Sequence, residues 1–281
     1  MRTIIRQFKR KIKDYVKHCD AETQVGFYQR LHDGQKMAAL RTLFRPHRSE
    51  ERELFVNYDN RIIIKPKELL SYISQYDIVS FDIFDTLLFR TVGKPEDVFA
   101  LVEQKTVISG FARERVRAEY SAREKVRKRT NTTEVALDDI YAELISLYGE
   151  QCDPLKKQEI QTELSCCYAN PFMLDLLNEL HRQGKKVIAV SDMYLPRTII
   201  EEMLHKCGFT QLSDIYVSCE HGVGKADGRL FQIVRDRYPN SSIVHVGDNY
   251  RSDAIGGKQC KVQGIHYIKS RINKMKRKRA T

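Results

Sequence analysis

The sequence has no long apolar run and no apolar segment close to its N-terminus. A membrane-spanning helix needs about 20 consecutive apolar residues, and no stretch of these 281 residues approaches that length. Residues 1–18 carry charge throughout, which excludes the apolar region of a secretory signal. These absences exclude an integral membrane protein and predict a cytoplasmic location.

Paired cysteines are also absent, because the chain has seven cysteines and no Cys-x-x-Cys spacing. Both a disulfide framework and a structural zinc site depend on regularly spaced pairs. The sequence therefore predicts reduced, buried thiols. The seven residues are Cys19, Cys152, Cys166, Cys167, Cys207, Cys219 and Cys260.

The excess of basic over acidic residues is confined to the two ends of the chain, although the formal net charge of the whole chain is +11. Residues 1–17 hold seven Lys or Arg and one Asp, and residues 269–281 hold seven Lys or Arg and no acid. The ends thus contribute +6 and +7, which leaves −2 for residues 18–268. A protein that reads nucleic acid carries its basic residues on the folded face that meets phosphate. This distribution therefore predicts no specific nucleic-acid partner.

The basic N-terminal segment, residues 3–17, has the pattern of an amphipathic helix. Its apolar stripe is formed by Ile5, Phe8, Ile12, Tyr15 and Val16. Such a helix can lie on an anionic membrane as a peripheral contact, or it can dock on the body of the protein or on a partner. The tail at 269–281 has no matching apolar face and is predicted to be disordered.

Besides the tail at 269–281, the pattern of elements predicts three regions. Residues 1–76 are predicted to be a helical extension with breaks near Gly34 and Pro46. Strands then alternate with helices over 77–91 and 179–268, which is typical of an α/β domain with a parallel sheet. The helical block at 92–178 is too long for a simple crossover and is predicted to be an inserted cap.

Polar side chains follow the predicted strands where each strand ends. They are Asp82 and Asp85, then Ser191 and Asp192, then Lys225, then Asp248 and Asp253. Ligands of open parallel sheets bind beyond the carboxyl ends of the strands. Carboxylate oxygens suit Mg²⁺, while a lysine and a hydroxyl can offset phosphate charge. The sequence thus predicts a site for metal-assisted phosphoryl or acyl transfer at this edge.

Four segments resemble, in order and spacing, the motifs of the haloacid dehalogenase (HAD) superfamily. They are FDIFDTLL, VIAVSD, the lysine of GVGKADGRLF, and HVGDNYRSD, within about residues 77–268. The resemblance implies a Rossmann-like, three-layer core with a helical cap, and FARERVRAEYSAR resembles the cap helices. FDIFDTLLFR with SDMYLP also resembles a bacterial subgroup linked to surface-polysaccharide genes.

The resemblance also implies roles for individual residues. Asp82 matches the nucleophile that forms an aspartyl intermediate, and Lys225 pairs with it and with the phosphate. The implied Mg²⁺ site consists of Asp82, the carbonyl of Phe84, Asp248 and, acting nearby through water, Asp253. The implied contacts to phosphate or substrate are Thr86, Ser191, Asp192 and Asn249.

One position departs from the phosphatase pattern of the superfamily. The residue two after the nucleophile is usually an Asp that protonates the leaving group, and here it is Phe84. General acid–base help is worth about 10²–10⁴-fold in rate. Its absence leaves three alternatives: a substrate with a good leaving group, a substitute acid such as Asp85 or Asp192, or lost catalysis.

The predicted function is Mg²⁺-dependent hydrolysis or transfer of a phosphoryl group on a small, carbohydrate-related substrate. Dehalogenases of the superfamily also carry an aromatic residue at the position of Phe84, so a dehalogenase-like hydrolase is one alternative. A catalytically weak binding module, recruited to a membrane or partner by the basic ends, is the other. The sequence does not define the substrate, the oligomeric state or the purpose of residues 18–76.

Overall fold

A seven-stranded sheet forms the centre of the protein in a computed structural model that describes residues 11–12, 14–43 and 53–269. The strands of the chain are β1 (Glu53–Asn57), β2 (Ile62–Ile64), β3 (Ile78–Phe81), β4 (Leu88–Arg90), β5 (Cys167–Ala169), β6 (Lys186–Ser191), β7 (Asp214–Val217), β8 (Ile243–Gly247) and β9 (Val262–Lys269). The sheet has the order β2-β1-β9-β8-β3-β6-β7, and β4 and β5 form a separate two-stranded ribbon.

The helices surround this sheet or lie in the insertion between β4 and β5. They are α1 (Ala21–His32), α2 (Lys36–Thr42), α3 (Pro66–Ile73), α4 (Asp97–Thr106), α5 (Phe111–Thr130), α6 (Leu137–Ala142), α7 (Ile145–Tyr148), α8 (Cys152–Cys166), α9 (Pro171–Arg182), α10 (Arg197–Lys206), α11 (Ser218–His221) and α12 (Arg229–Arg237). Single turns lie at Gly149–Gln151, Tyr250–Ala254 and Lys258–Cys260. Among the described residues, no helix is long and apolar enough to cross a membrane.

Strands β9, β8, β3, β6 and β7 run parallel, which confirms the predicted α/β core. Every residue of β3 and β8 is buried, as expected for strands that helices cover on both faces. In the register, Phe81 lies opposite Val246 on one side and Ala189 on the other. The residues that follow these strands therefore meet at one edge of the sheet.

The prediction of a wholly helical extension is wrong for residues 53–64, which form β1 and β2. Phe and Val in ELFVN and the three Ile residues of III are aromatic or β-branched, which favours strands. β1 pairs antiparallel with β9, where Leu54 lies opposite Ile268. This pairing covers an edge of β9 that would otherwise be open.

The rest of the extension follows the sequence pattern where it is described. Helix α1 is capped by Asp20, whose carboxylate accepts a hydrogen bond from the amide of Thr23 at 2.9 Å. The predicted break at Gly34 separates α1 from α2. The predicted break at Pro46, most of the predicted 3–17 helix and nearly all of the 269–281 tail lie outside the described residues.

The insertion consists of helices α4 to α8 and stands on the β4–β5 ribbon. Arg90 pairs with Cys167 and Leu88 with Ala169, so the chain leaves and re-enters the core side by side. The predicted boundary between residues 178 and 179 falls inside α9, which packs on β6 and therefore belongs to the core. The boundary lies earlier than predicted because Pro171 begins α9 directly after the ribbon.

A buried ion pair that the sequence pattern did not reveal holds the cap together. The guanidinium of Arg115 donates two hydrogen bonds to the carboxylate of Glu159, both at 2.8 Å, and both side chains are fully buried. The hydroxyl of Tyr141 donates to the same carboxylate at 2.9 Å. Arg115 also lies 4.8 Å from the ring centroid of Tyr194, a residue of the core. This network therefore joins the cap to the loop that follows β6.

Candidate active site

Three parallel strands deliver polar residues to one edge of the sheet. Asp82 directly follows β3, Ser191 ends β6, and Asp248 directly follows β8. The amide of Asp82 donates to the carbonyl of Val246 at 2.9 Å, which ties the start of the first loop to β8. Asp82 and Ser191 are buried, so the edge is largely shielded from solvent.

Lys225 links two of the acids. Its ammonium lies 2.6 Å from Oδ1 of Asp82 and 2.7 Å from Oδ1 of Asp253, and only 2% of its side chain is exposed. Burial lowers the pKa of Lys225, but Asp253 and Asp82 reverse this effect and raise the pKa above its usual range. Lys225 is therefore a permanent positive charge at the base of the site.

The two acids on Lys225 differ in their own ionisation. Burial raises the pKa of Asp82 to about 8, with Lys225 opposing the shift and Asp253 and Asp248 adding to it. Burial would also raise the pKa of Asp253, but Lys225 and His245 hold it well below its usual range. Asp253 therefore stays ionised as the partner of Lys225, whereas the ionisation of Asp82 depends on the ligands that the site holds.

Asp82, Asp248 and Asp253 form a cluster that could hold a metal ion. Each offers one carboxylate oxygen, and these atoms all lie within 4.8 Å of one another. Such hard oxygen donors suit Mg²⁺. Asp253 already accepts from Lys225 and, at 2.8 Å, from the amide of Asn249. The predicted role of Asp253, acting on the metal through water, stays a prediction.

Gly247 is required by the position of Asp253. A Cβ atom on residue 247 would lie 2.4 Å from Cγ of Asp253, closer than such contacts occur. The end of β8 therefore has no room for a side chain next to this carboxylate. The glycine before Asp248 thus helps to build the acidic cluster.

The loop after β3 shapes the surroundings of the nucleophile candidate. The hydroxyl of Thr86 donates to Oδ2 of Asp82 at 3.3 Å. Asp85 has φ of +62°, in the left-handed region that glycine adopts most easily and Asp tolerates. Phe84 is half-buried, and the guanidinium of Arg90 lies 4.1 Å from its ring centroid. An aromatic side chain and a cation thus stand where phosphatases of the superfamily carry an acid.

Asp192 supports the loop of Lys225. Its Oδ1 accepts a hydrogen bond from the amide of Lys225 at 2.9 Å, while α10 begins after Pro196. Although Asp192 is partly open to solvent, the protein around its carboxylate raises its pKa to about 6, opposed by Lys225 and reinforced by Glu134. Glu134 comes from the cap and accepts from the hydroxyl of Ser218 at 2.5 Å.

Asn249 has structural partners in the turn at Tyr250–Ala254. Its side-chain oxygen accepts from the amides of Arg251 and Ser252, at 3.1 and 3.4 Å. This is the arrangement of a helix cap. Its predicted contact with substrate stays a prediction.

Sequence reasoning missed one charged residue of the site. The ammonium of Lys17 lies 3.1 Å from Oδ2 of Asp248. The sequence places Lys17 among the basic residues of the N-terminal helix, where it is expected to face solvent or a membrane. No local pattern could have shown the contact, because the two residues are 231 positions apart.

Comparison with known families agrees with this geometry. Residues 76–261 match the model of the family described as haloacid dehalogenase-like hydrolase. The match covers more than half of the chain and includes Asp82, Ser191, Lys225, Asp248 and Asp253. The chain belongs to the haloacid dehalogenase-like hydrolases. A search of curated protein sequences gives no significant match.

The solved structures to which this chain is similar include proteins of several bacteria. The HAD-hydrolase YfnB of Bacillus subtilis, crystallised with magnesium, is 19% identical over 66% of this chain and 86% of its own, with a TM-score of 0.48. A 2-haloacid dehalogenase of Pseudomonas syringae is 16% identical over 66% of this chain and 84% of its own, with a TM-score of 0.46. The L-2-haloacid dehalogenase of Xanthobacter autotrophicus, with chloropropionic acid covalently bound, is 14% identical over 66% of this chain and 75% of its own, with a TM-score of 0.46. A shared substrate does not follow at these identities.

Proposed function

We propose that this hydrolase removes or transfers a phosphoryl group from a small phosphorylated substrate, with Asp82 as the nucleophile and Mg²⁺ as the cofactor. The observation that carries the proposal is the contact between Asp82 and the buried ammonium of Lys225, beside a cluster of three carboxylates. A buried lysine on a carboxylate nucleophile offsets the charge of both the carboxylate and an incoming phosphate. Bound Mg²⁺, held by Asp82, the carbonyl of Phe84 and Asp248, would supply further positive charge for the phosphate oxygens.

The reaction has two displacement steps. An oxygen of Asp82 forms a bond to phosphorus, and the bond from phosphorus to the leaving oxygen breaks with its electron pair on that oxygen. A water oxygen, or an acceptor hydroxyl in a transfer, then attacks the same phosphorus, and Asp82 departs as a carboxylate. The proton of the attacking water or hydroxyl passes to a base or to solvent.

The remaining residues position these groups. The hydroxyl of Thr86 donates a hydrogen bond to the second carboxylate oxygen of Asp82 and so fixes the orientation of this carboxylate in the site. Ser191 is buried at the end of β6, where its hydroxyl can donate to a phosphoryl oxygen. Asp192 fixes the Lys225 loop and, with its raised pKa, is the candidate proton donor that replaces the missing acid.

Covalent labelling tests this mechanism. The protein is incubated with Mg²⁺ and a panel of aryl, acyl and sugar phosphates, then quenched in acid and treated with hydroxylamine, which cleaves acyl phosphates. A hydroxylamine-sensitive phosphoryl group on Asp82, lost in Asp82→Asn and in the presence of a chelator, is the expected result. Turnover without any such adduct, or with an adduct on another residue, would contradict the proposal.

Phe84 favours a second candidate, a hydrolase whose leaving group needs no proton. Loss of a halide from carbon fits an aromatic residue at this position, and Asp82 would then attack carbon. Short 2-haloacids tested in the same panel distinguish the two reactions. The charged cluster favours the phosphoryl reaction, because three carboxylates around one point are costly unless a cation binds there.

The proposed substrate is carbohydrate-related and the proposed location is the cytoplasmic face of a membrane. The first rests on the resemblance of FDIFDTLLFR and SDMYLP to a subgroup linked to surface polysaccharides. The second rests on the six Lys or Arg of residues 1–13, each worth about 1 kcal/mol near an anionic surface. Deleting residues 1–10, which removes four of them and keeps Lys17, should weaken binding to anionic vesicles; unchanged binding contradicts this part.

A further inference from the structure

The N-terminal extension reaches the candidate metal site through Lys17. The ammonium of Lys17 lies 3.1 Å from Oδ2 of Asp248, one of the three clustered acids. The side chains of Lys17 and Asp248 are 26% and 21% exposed, so the pair lies at the rim of the site and not in the core. This contact belongs to a part of the chain outside the residues that match the family.

Packing on both sides of Lys17 fixes its backbone. Val16 is fully buried in a cluster that also contains Ala254, in the turn after Asp248. On the other side, the side chain of Gln24 donates to the carbonyl of Cys19 at 2.9 Å. Lys17 is therefore held by structure and is not the tip of a loose arm.

Aromatic packing joins the same extension to the turn that follows Asp248. The ring of Tyr28, in α1, stacks on that of Tyr250 with centroids 5.1 Å apart. Tyr28 also packs edge-on against His266, whose Nε2 lies 3.0 Å from the carbonyl oxygen of Asp248. The extension thus supports the backbone of Asp248 as well as contacting its carboxylate.

The charge of the site depends on Lys17. When all three clustered carboxylates are ionised, as ligands of a cation are, they and Lys225 alone have a net charge of −2, and Lys17 reduces this to −1. A divalent cation then changes the net charge to +1, whereas without Lys17 it would bring the charge only to zero. A site at +1 attracts a phosphate dianion more strongly than a neutral site does.

We infer that Lys17, through its contact with Asp248, weakens the binding of a free divalent cation and strengthens the binding of phosphate to the metal-loaded site. Lys17 is thus a positioning residue supplied by the extension, and it makes metal and phosphate bind together rather than separately. The inference rests on the proposed function. Because the pair is partly exposed and screened by water and salt, the expected effects are about tenfold and not larger.

Calorimetric titration of the full chain at low ionic strength tests this inference without any turnover. The probes are Mg²⁺ alone, and then inorganic phosphate at saturating Mg²⁺. Lys17→Met should bind Mg²⁺ about tenfold more tightly and phosphate about tenfold more weakly than the unmodified chain. Lys17→Gln, a second neutral variant, should give the same two shifts.

Two control variants isolate the effect of charge at this position. Lys17→Arg keeps the charge and should retain both affinities within a small factor. Lys36→Met removes an exposed lysine of the same extension and should leave both unchanged. If Lys17→Met and Lys17→Gln show unchanged or weaker Mg²⁺ binding, or unchanged phosphate binding, the inference is wrong while the proposed function stands. If the unmodified chain binds neither probe, the proposed function fails and the inference fails with it.

Discussion

The cap and the candidate active site each bury charged side chains, but only the cap balances them. In the cap, Arg115 pairs with Glu159 and Glu119, and Arg123 also pairs with Glu119, so two positive charges meet two negative ones. A buried pair with this geometry is stable because each charge has its partner and its hydrogen bonds. The network therefore needs no ligand.

In the active site, in contrast to the cap, acidic side chains outnumber the basic side chains that contact them. Within the described residues, two lysines, Lys225 and Lys17, contact the three acids Asp82, Asp248 and Asp253, so acids outnumber bases by one. Such an excess destabilises the folded chain unless a cation enters. The difference teaches that burial of charge alone does not mark a functional site, whereas unbalanced buried charge around one point does.

Replacing Asp82 with Asn tests the functional side of this comparison and has the largest expected effect. Turnover should fall by at least about 10³-fold, because the attacking oxygen is lost. The melting temperature without divalent metal should stay equal or rise, because one of three like charges is removed. Initial rates and thermal melts measure both. A lower melting temperature would show that the acids are not in excess, and retained turnover would exclude the covalent mechanism.

Replacing Glu159 with Gln tests the structural side and should have the opposite effect on stability. Loss of one member of a fully buried pair should lower the free energy of unfolding by about 3–5 kcal/mol, because Arg115 keeps its charge without a full counter-charge. Denaturant unfolding measures the change. The double variant Arg115→Met with Glu159→Leu is the matched control and should recover most of the loss. A single variant as stable as the unmodified chain would overturn the view of this pair as structural.

Replacing Phe84 with Asp tests the missing acid, with an expected gain of about ten- to a hundredfold on alkyl phosphates. The gain stays below the full acid–base contribution because Arg90, which stacks on Phe84, can pair with the new carboxylate. Phe84→Asn is the matched control, since it lacks the proton. Rates on alkyl and aryl phosphates are compared, and aryl substrates should change little. A uniform loss on all substrates would mean that Phe84 acts as a wall of the substrate site.

The smallest expected effect is on the pH dependence of turnover. It tests the cap and the active site together, because the cap residue Glu134 raises the pKa of Asp192 in the active site. An acid donates its proton only below its pKa, so alkyl-phosphate turnover should fall as the pH rises above about 6, the pKa of Asp192. Glu134→Gln removes a charge that raises this pKa and should move the fall to lower pH. Asp192→Asn should abolish the fall, while Asp85→Asn should not. A fall that persists in Asp192→Asn and disappears in Asp85→Asn would make Asp85 the donor.

Much of the site follows from the sequence, and the reason is the geometry of parallel strands. Asp82, Ser191 and Asp248 each come at the end of an apolar run, and parallel strands in register bring their carboxyl ends to one edge. Lys225 could be found as well, because its segment resembles a known motif. Asp192 was found as a polar residue of this edge and Asn249 only through the family resemblance, and their hydrogen bonds to neighbouring backbone were not foreseeable from position alone.

The sequence by itself determined the alternation of strands and helices over residues 77–91 and 179–268, the α/β class and the acids of the catalytic edge, because these depend on local patterns of apolar and polar residues. Tertiary structure alone decided that residues 53–64 extend the sheet beside β9, that Arg115 meets Glu159 inside the cap, and that Lys17 reaches Asp248. Each of these contacts joins segments far apart in the chain. Their formation depends on which surfaces remain uncovered once the core has folded, and no local pattern encodes that.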